Sequence, residues 1–171
     1  MTVSIRHASA EDIAELHALI ERCYRGEAAQ AGWTSESHLL DGPRTNASVL
    51  AAIIADSEQC MLVAEAEAGL VACVQVSHRG GGLAYLGQLA VDPALQATGM
   101  GRRMIEAAEA QALLYGASTM EMTVLEQRPE LIAWYGRRGY AVTGETRPLP
   151  AEAGPSKRPL VLLVLAKPLS S

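Results

Sequence analysis

At 171 residues, with 49% hydrophobic and 19% charged side chains, the chain has the size and composition of one globular domain, residues 1–171, with a single well-buried core. Its formal net charge of -5 argues against nucleic acid as a main partner, because a phosphate backbone needs a basic face, and it suits a cationic amine better. The chain has no Phe, so its core must be built from Leu, Val, Ile, Ala and six Met.

The N-terminal stretch Met1-Thr2-Val3-Ser4-Ile5-Arg6-His7 lacks the basic-then-apolar layout of a signal peptide. No apolar run approaches the roughly 18 residues that cross a bilayer, so a cytoplasmic protein without a membrane partner is expected. Residues 3–8 alternate like an edge strand, and Ser9-Ala10-Glu11-Asp12 is a capping sequence for a helix whose apolar face carries Ile13, Leu16, Ile20 and Tyr24. Residues 26–44 are irregular, and a short helix follows over 48–54, capped by Asn46. Three strands are expected at 60–66, 70–77 and 83–91, with turns at Glu67-Ala68-Gly69 and Gly80-Gly81-Gly82. Such short connections make antiparallel neighbours.

Asp92-Pro93 ends the third strand, and a helix is expected from about 99 to 115, with Met100, Met104, Ala108 and Ala112 on one stripe, Ile105 beside it and Gly116 as the C′ residue. A strand at 120–125 leads to Pro129, placed where a helix can begin, and Gly139 stands where that helix can stop. Two last strands, 140–145 and 160–166, flank a loop through Pro148, Pro150 and Pro155. The layout is mixed α/β, and its strand–helix–strand units should be right-handed with parallel neighbouring strands. The cysteines, Cys23, Cys60 and Cys73, show no CxxC and no histidine at ligand spacing, so they read as buried apolar residues and no metal site is expected.

The most informative segment is Gln96-Ala97-Thr98-Gly99-Met100-Gly101-Arg102-Arg103, at the mouth of the helix that follows the strand Leu89-Ala90-Val91. A glycine turn at a helix start leaves several backbone N–H groups without intrahelical partners, which makes an anion site suited to a diphosphate. The run lacks the GK[ST] of a P-loop, and the third glycine of a dinucleotide fingerprint is replaced by Met104. Arg102 and Arg103 in the first turn have the wrong sign for the helix dipole, at a cost of a few tenths of a kcal/mol, and a bound anion would reverse that.

With Trp134-Tyr135-Gly136-Arg137-Arg138-Gly139-Tyr140 added, the chain resembles the GNAT acetyltransferase superfamily over essentially its whole length, most specifically from Leu89 to Tyr140. The resemblance implies a mixed, mostly antiparallel central sheet flanked by helices on both faces, and acetyl-CoA as cofactor. It implies that Gln96, Ala97, Thr98, Gly99, Met100, Gly101 and Arg102 cradle the cofactor's pyrophosphate. Leu89, Ala90 and Val91 would lie on a strand that splays from its neighbour and offers backbone groups to the thioester and pantetheine. The family's aromatic signature falls on Tyr135, whose hydroxyl would protonate the departing thiolate.

The chain departs from the family pattern in three places. Thr98 stands where a basic residue is frequent, and Arg128 replaces an Asn that often lies near the pantetheine. The third is the general base: Tyr85, Leu86, Gly87 and Gln88 contain no carboxylate on the strand where many members carry a Glu. Attack on a thioester requires a neutral amine, so another group, a water chain or a low-pKa substrate must account for its proton. Glu121, in an alternating strand, reads as solvated, and Glu126, beyond that strand's end, is the candidate base. In the irregular stretch, Trp33, Glu36 and Arg44 could bind an amphiphilic amine. The expected function is N-acetyl transfer from acetyl-CoA to a primary amine of a small molecule or peptide, with a homodimer possible. A non-catalytic acyl-CoA-binding regulatory domain is the alternative.

Overall fold

The computed structural model describes residues 2–24, 45–95, 98–148 and 161–170. In chain order these form β1 (Ser4–His7), α1 (Ile13–Tyr24), α2 (Ala47–Ala55), β2 (Gln59–Ala66), β3 (Gly69–Gly80), β4 (Leu83–Val91), α3 (Met100–Leu114), β5 (Thr119–Leu125), α4 (Pro129–Gly136), β6 (Ala141–Pro148) and β7 (Val161–Pro168). The seven strands make one sheet in the order β1-β2-β3-β4-β5-β7-β6.

Local chemistry explains the element ends. The Asp12 carboxylate accepts from the Ser9 backbone N–H at 2.8 Å, closing a capping box, and Asn46 accepts from the Val49 N–H at 2.9 Å. Pro129 occupies the first turn of α4, where its missing N–H costs nothing. The β3–β4 turn holds Gly80, Gly81 and Gly82 at φ of +82°, +61° and +79°, a run that side-chain-bearing residues resist.

The strands of the sheet's centre are apolar on both faces, as burial on both sides requires. Leu62, Ala64, Val74, Val76, Leu86 and Met122 pack with Met104, Ala108 and Ala112 of α3 and with Leu131 and Tyr135 of α4. On the other face Met61, Val63, Cys73 and Ala90 pack with Leu16, Leu19, Ile20 and Cys23 of α1 and with Leu50 and Ile53 of α2. The expected helices on both faces are thus present, and the sheet is antiparallel except where β4 meets β5.

One expectation on strand neighbours is corrected. β4–α3–β5 does join parallel neighbours, but β5–α4–β6 does not, because β7 lies between and is antiparallel to both. The apolar run Leu162-Leu163-Val164-Leu165 of β7 takes the half-buried and buried place beside β5, and β6, exposed along almost its whole length, is left at the edge.

Candidate active site

The site is set by where β4 and β5 part. Their parallel ladder runs only through Leu83↔Thr119, Ala84↔Met120 and Tyr85↔Glu121, although β4 continues to Val91 and β5 to Leu125. The divergence coincides with an irregularity on β4's other side, where the register with β3 shifts between Cys73 and Gln75. Gln88, within it, is the one non-glycine residue among those described with positive φ, at +49°. A strained bulge of this kind re-aims a strand and is a feature of functional sites. Leu89, Ala90 and Val91, the residues expected to face the cofactor, are buried on this re-aimed segment.

β4 then delivers the chain to the helix start. Gly99 caps α3 at φ +88° and has no side chain with which to accept from the first-turn N–H groups. Those donors remain for an external anion. Thr98 turns its hydroxyl onto the Leu95 carbonyl, and Gln96 and Ala97 lie outside the described residues. A Cβ on Gly101 would come within 3.1 Å of Trp134 and 3.8 Å of Val91, so only a residue without one lets β4, α3 and α4 meet this closely.

α4 brings Tyr135 to the same junction. Its ring is buried, edge-on to Trp134 at 5.1 Å and to Tyr140 at 6.2 Å between centroids. Tyr140 donates its hydroxyl to Glu109 at 2.8 Å, and burial beside that carboxylate holds its proton far above the usual phenol range. Arg128, at the cap of α4, is 3% exposed and has its Nε 2.6 Å from Glu130, so its charge is already met within the helix start.

The polar face of β4 and β5 differs from expectation in one respect. Glu121 is not solvated: its side chain is 13% exposed and its carboxylate is 2.8 Å from Arg147 of β6, which also reaches Glu145. Beside it the Tyr85 hydroxyl and Thr123 Oγ1 are 2.6 Å apart. Glu126 stands exposed just beyond β5. Trp33, Glu36 and Arg44 lie outside the described residues.

Sequence reasoning passed over Gln88 and Gln127, whose side-chain carbonyl oxygens are buried with no hydrogen-bond partner among the described residues. Buried amide oxygens without partners cost about 1–3 kcal/mol each, so a ligand with amide N–H groups would relieve them. The strand divergence, the bare glycine cap and these two acceptors fit a cofactor that joins a diphosphate to an amide-bearing arm. No sequence signal marks them, since glutamine is ordinary both near the end of a strand, where Gln88 lies, and in a turn, where Gln127 lies.

An α/β sheet that opens ahead of a glycine-capped helix, with a buried tyrosine on the following helix, offers an anion site beside a strand opening. The chain belongs to the GNAT acetyltransferase family: residues 13–140 match the model described as "Acetyltransferase (GNAT) family", whose cofactor is acetyl-CoA and whose reaction is N-acetyl transfer. No curated protein matches the chain in sequence.

Solved structures share the fold at low identity. Ard1 from Thermoplasma volcanium is 14% identical with a TM-score of 0.74, covering 100% of both chains. The ribosomal-protein-S18-alanine N-acetyltransferase from Escherichia coli is 17% identical with a TM-score of 0.73, over 99% of this chain and 96% of that one. The structure of yncA from Salmonella typhimurium, determined with its cofactor acetyl-CoA, is 17% identical with a TM-score of 0.70, over 100% and 96%. No helix among the described residues is long and apolar enough to cross a membrane.

Proposed function

We propose that this chain transfers the acetyl group of acetyl-CoA directly to a primary amine of a small molecule or peptide. The observation that carries the reading is the early end of the β4–β5 ladder, directly ahead of the Gly99 cap and beside the helix that holds Tyr135. When bound, the cofactor supplies an acetyl thioester as the electrophile.

The protein's own part is positioning and proton management. The N–H groups at the start of α3 bind the diphosphate, with Thr98, Gly99, Met100, Gly101 and Arg102 forming the described part of that turn. The segment Leu89-Ala90-Val91 lines the opening along which the thioester arm is held, with Gln88 and Gln127 accepting from its amides. Holding amine and thioester in register converts a bimolecular step into a local one, an effect of up to roughly 7–11 kcal/mol in favourable cases. Tyr135 Oη gives its proton to the departing sulfur. Glu126, open to water at the end of β5, takes the ammonium proton through solvent, and Glu121 stays paired with Arg147 as a fixed charge on the acceptor face.

The test is calorimetric titration of the purified protein with acetyl-CoA and with CoA, followed by thiol release and product mass across a panel of primary amines. Binding with thiol release and an acetylated product establishes the enzyme. Binding without release on every amine favours a regulatory acyl-CoA-binding domain, and no binding overturns the role given to residues 96–103.

A further inference from the structure

The face of the sheet that carries α1 and α2 is apolar where those helices pack, through Met61, Val63, Cys73 and Ala90. Its continuation over β3, β4 and β5 is polar, and only part of it enters the chemistry described so far. Gln75 and Ser77 of β3 stand there beside Gly87 and Tyr85 of β4, their register partners. Gly87 is the next residue of β4 on this face after Tyr85, the last to pair with β5, so it floors the mouth of the strand opening.

Gly87 is required by its neighbours and not by its backbone angle. A Cβ there would lie 3.3 Å from Gln75 Oε1 and 3.3 Å from Tyr85 Cε1, closer than a side-chain carbon ordinarily stands. The network around Gln75 fixes which way its amide points. Gln59 donates from Nε2 to Asp56 at 3.0 Å, which leaves its Oε1 to accept from Gln75 Nε2 at 2.8 Å and from Ser77 Oγ at 3.3 Å. Gln75 Oε1 is therefore turned over Gly87, where it accepts no hydrogen bond among the described residues. An acceptor above a bare glycine at the mouth of the opening is a seat for an amine N–H.

The second anchor is Arg79. Its guanidinium lies 4.6 Å from the centre of the Tyr85 ring, and the Tyr85 hydroxyl is held 2.6 Å from Thr123 Oγ1. Stacking uses the flat of a guanidinium and leaves its N–H edges for a carboxylate. Arg79 makes no ion pair among the described residues, whereas Glu121, Arg147 and Glu145 pair with one another. Among the described residues, the uncommitted charge beside Tyr85 is thus positive, on a chain whose net charge is -5.

Gly87 and Tyr85 are two residues apart on one strand, so the anchors stand roughly 7 Å apart along it. An α-amino acid is too short to reach both, and a simple amine leaves Arg79 unused. Resting on the acetyl-transfer reading, we propose that the acceptor is a primary amine that carries a carboxylate roughly 7 Å away, as an ω-amino acid or a dipeptide does. Its amine donates to Gln75 Oε1 and its carboxylate meets Arg79. In the transfer the nitrogen lone pair forms the bond to the acetyl carbon, the C–S bond breaks and the sulfur leaves with its electron pair. The sulfur takes the Tyr135 proton, and the surplus proton on the nitrogen restores that phenol through water.

The experiment measures kcat/KM by thiol release and product mass, at saturating acetyl-CoA, for glycine, 6-aminohexanoate, glycylglycine and hexylamine. The wild type should favour 6-aminohexanoate or glycylglycine over both hexylamine and glycine by about tenfold or more, the effect of one charge-assisted pair. Faster turnover of glycylglycine assigns the site to peptide termini, and faster turnover of 6-aminohexanoate to aliphatic amino acids; either supports the proposal. Arg79→Gln should bring the favoured acid and hexylamine to nearly the same kcat/KM, and its turnover of hexylamine reports that it has folded. Arg79→Lys, which keeps the charge and loses the fork, should retain part of the preference. Should Arg79→Gln turn over no amine, Arg79→Lys carries the test and must reduce the preference. Equal wild-type values for the acids and hexylamine, a preference for glycine, or a preference that survives both substitutions overturns the assignment and leaves the acetyl-transfer reading intact. Acetylation of other primary amines but of neither longer acid does the same. A wild-type protein that turns over no amine at all, or binds no acetyl-CoA, overturns both.

Discussion

Tyr135 concentrates the proposed chemistry in one hydroxyl. Tyr135→Phe removes that oxygen and leaves the ring between Trp134 and Tyr140, so packing is retained. Steady-state kinetics should show kcat lowered by roughly 10²–10⁴-fold, with KM for acetyl-CoA changed little, and an unchanged kcat removes the acid role. Asp12 is a second residue whose environment sets its behaviour. The Arg6 guanidinium, hydrogen-bonded at 2.8 and 3.0 Å, holds its carboxyl at about 2 against an ordinary 3.8, helped by the Ser9 N–H and opposed by burial. A carboxyl depressed in the folded state contributes stability above pH ~3.8 and loses it as pH falls towards about 2. Since Arg6 is 37% exposed and screened, Asp12→Asn should cost roughly 1–2 kcal/mol at pH 7 in urea denaturation. That deficit should shrink between pH 4 and pH 2, and one that persists unchanged there would assign it to the cap and not to charge.

Two caps test the elements separately. Asn46 accepts from the Val49 N–H and opens α2, whose Leu50 and Ile53 hold it to the sheet. Asn46→Ala should lower stability by about 1 kcal/mol with no effect on cofactor affinity. Gly99 differs because nothing lies within 4 Å of a Cβ there, so only its φ of +88° penalises a side chain. Gly99→Ala should also cost about 1 kcal/mol, read as a lowered Tm, but should in addition weaken acetyl-CoA binding, because relaxing that angle rotates the first-turn N–H groups. Equal effects on binding from both variants would separate the α3 cap from the cofactor.

Across the whole molecule, burial is concentrated in the middle of the sheet. β2, β3 and β4 carry apolar residues into both cores, whereas every residue of β6 from Ala141 to Thr146 is exposed and, among the described residues, the strand has a neighbour on one side only. Native-state amide exchange should therefore be slowest in β2–β4 and markedly faster in β6. Because Arg147 on β6 holds Glu121, the proposed acceptor face would be tied to this exposed strand. Comparable protection in β6 and β3 would show that the edge is stabilised by something other than its own burial.

The sequence by itself determined the elements and most of their ends, since helix and strand periods, caps and breakers act over a few residues. Asn46, Pro129 and Gly116 are read correctly because each solves a local backbone problem. It also supplied the glycine turn and the tyrosine motif, whose spacing survives as a string. Long-range pairing was decided by the tertiary structure alone. No local rule places β7 between β5 and β6, ends the β4–β5 ladder after three pairs, or carries Arg147 to Glu121. Two arginines show the same division: Arg102 and Arg137 are 35 positions apart, and the packing of α4 on the first turn of α3, with Trp134 where a side chain on Gly101 would be, brings both to the lining of one cleft. Contacts between distant segments depend on which faces bury together, and that is a property of the folded whole.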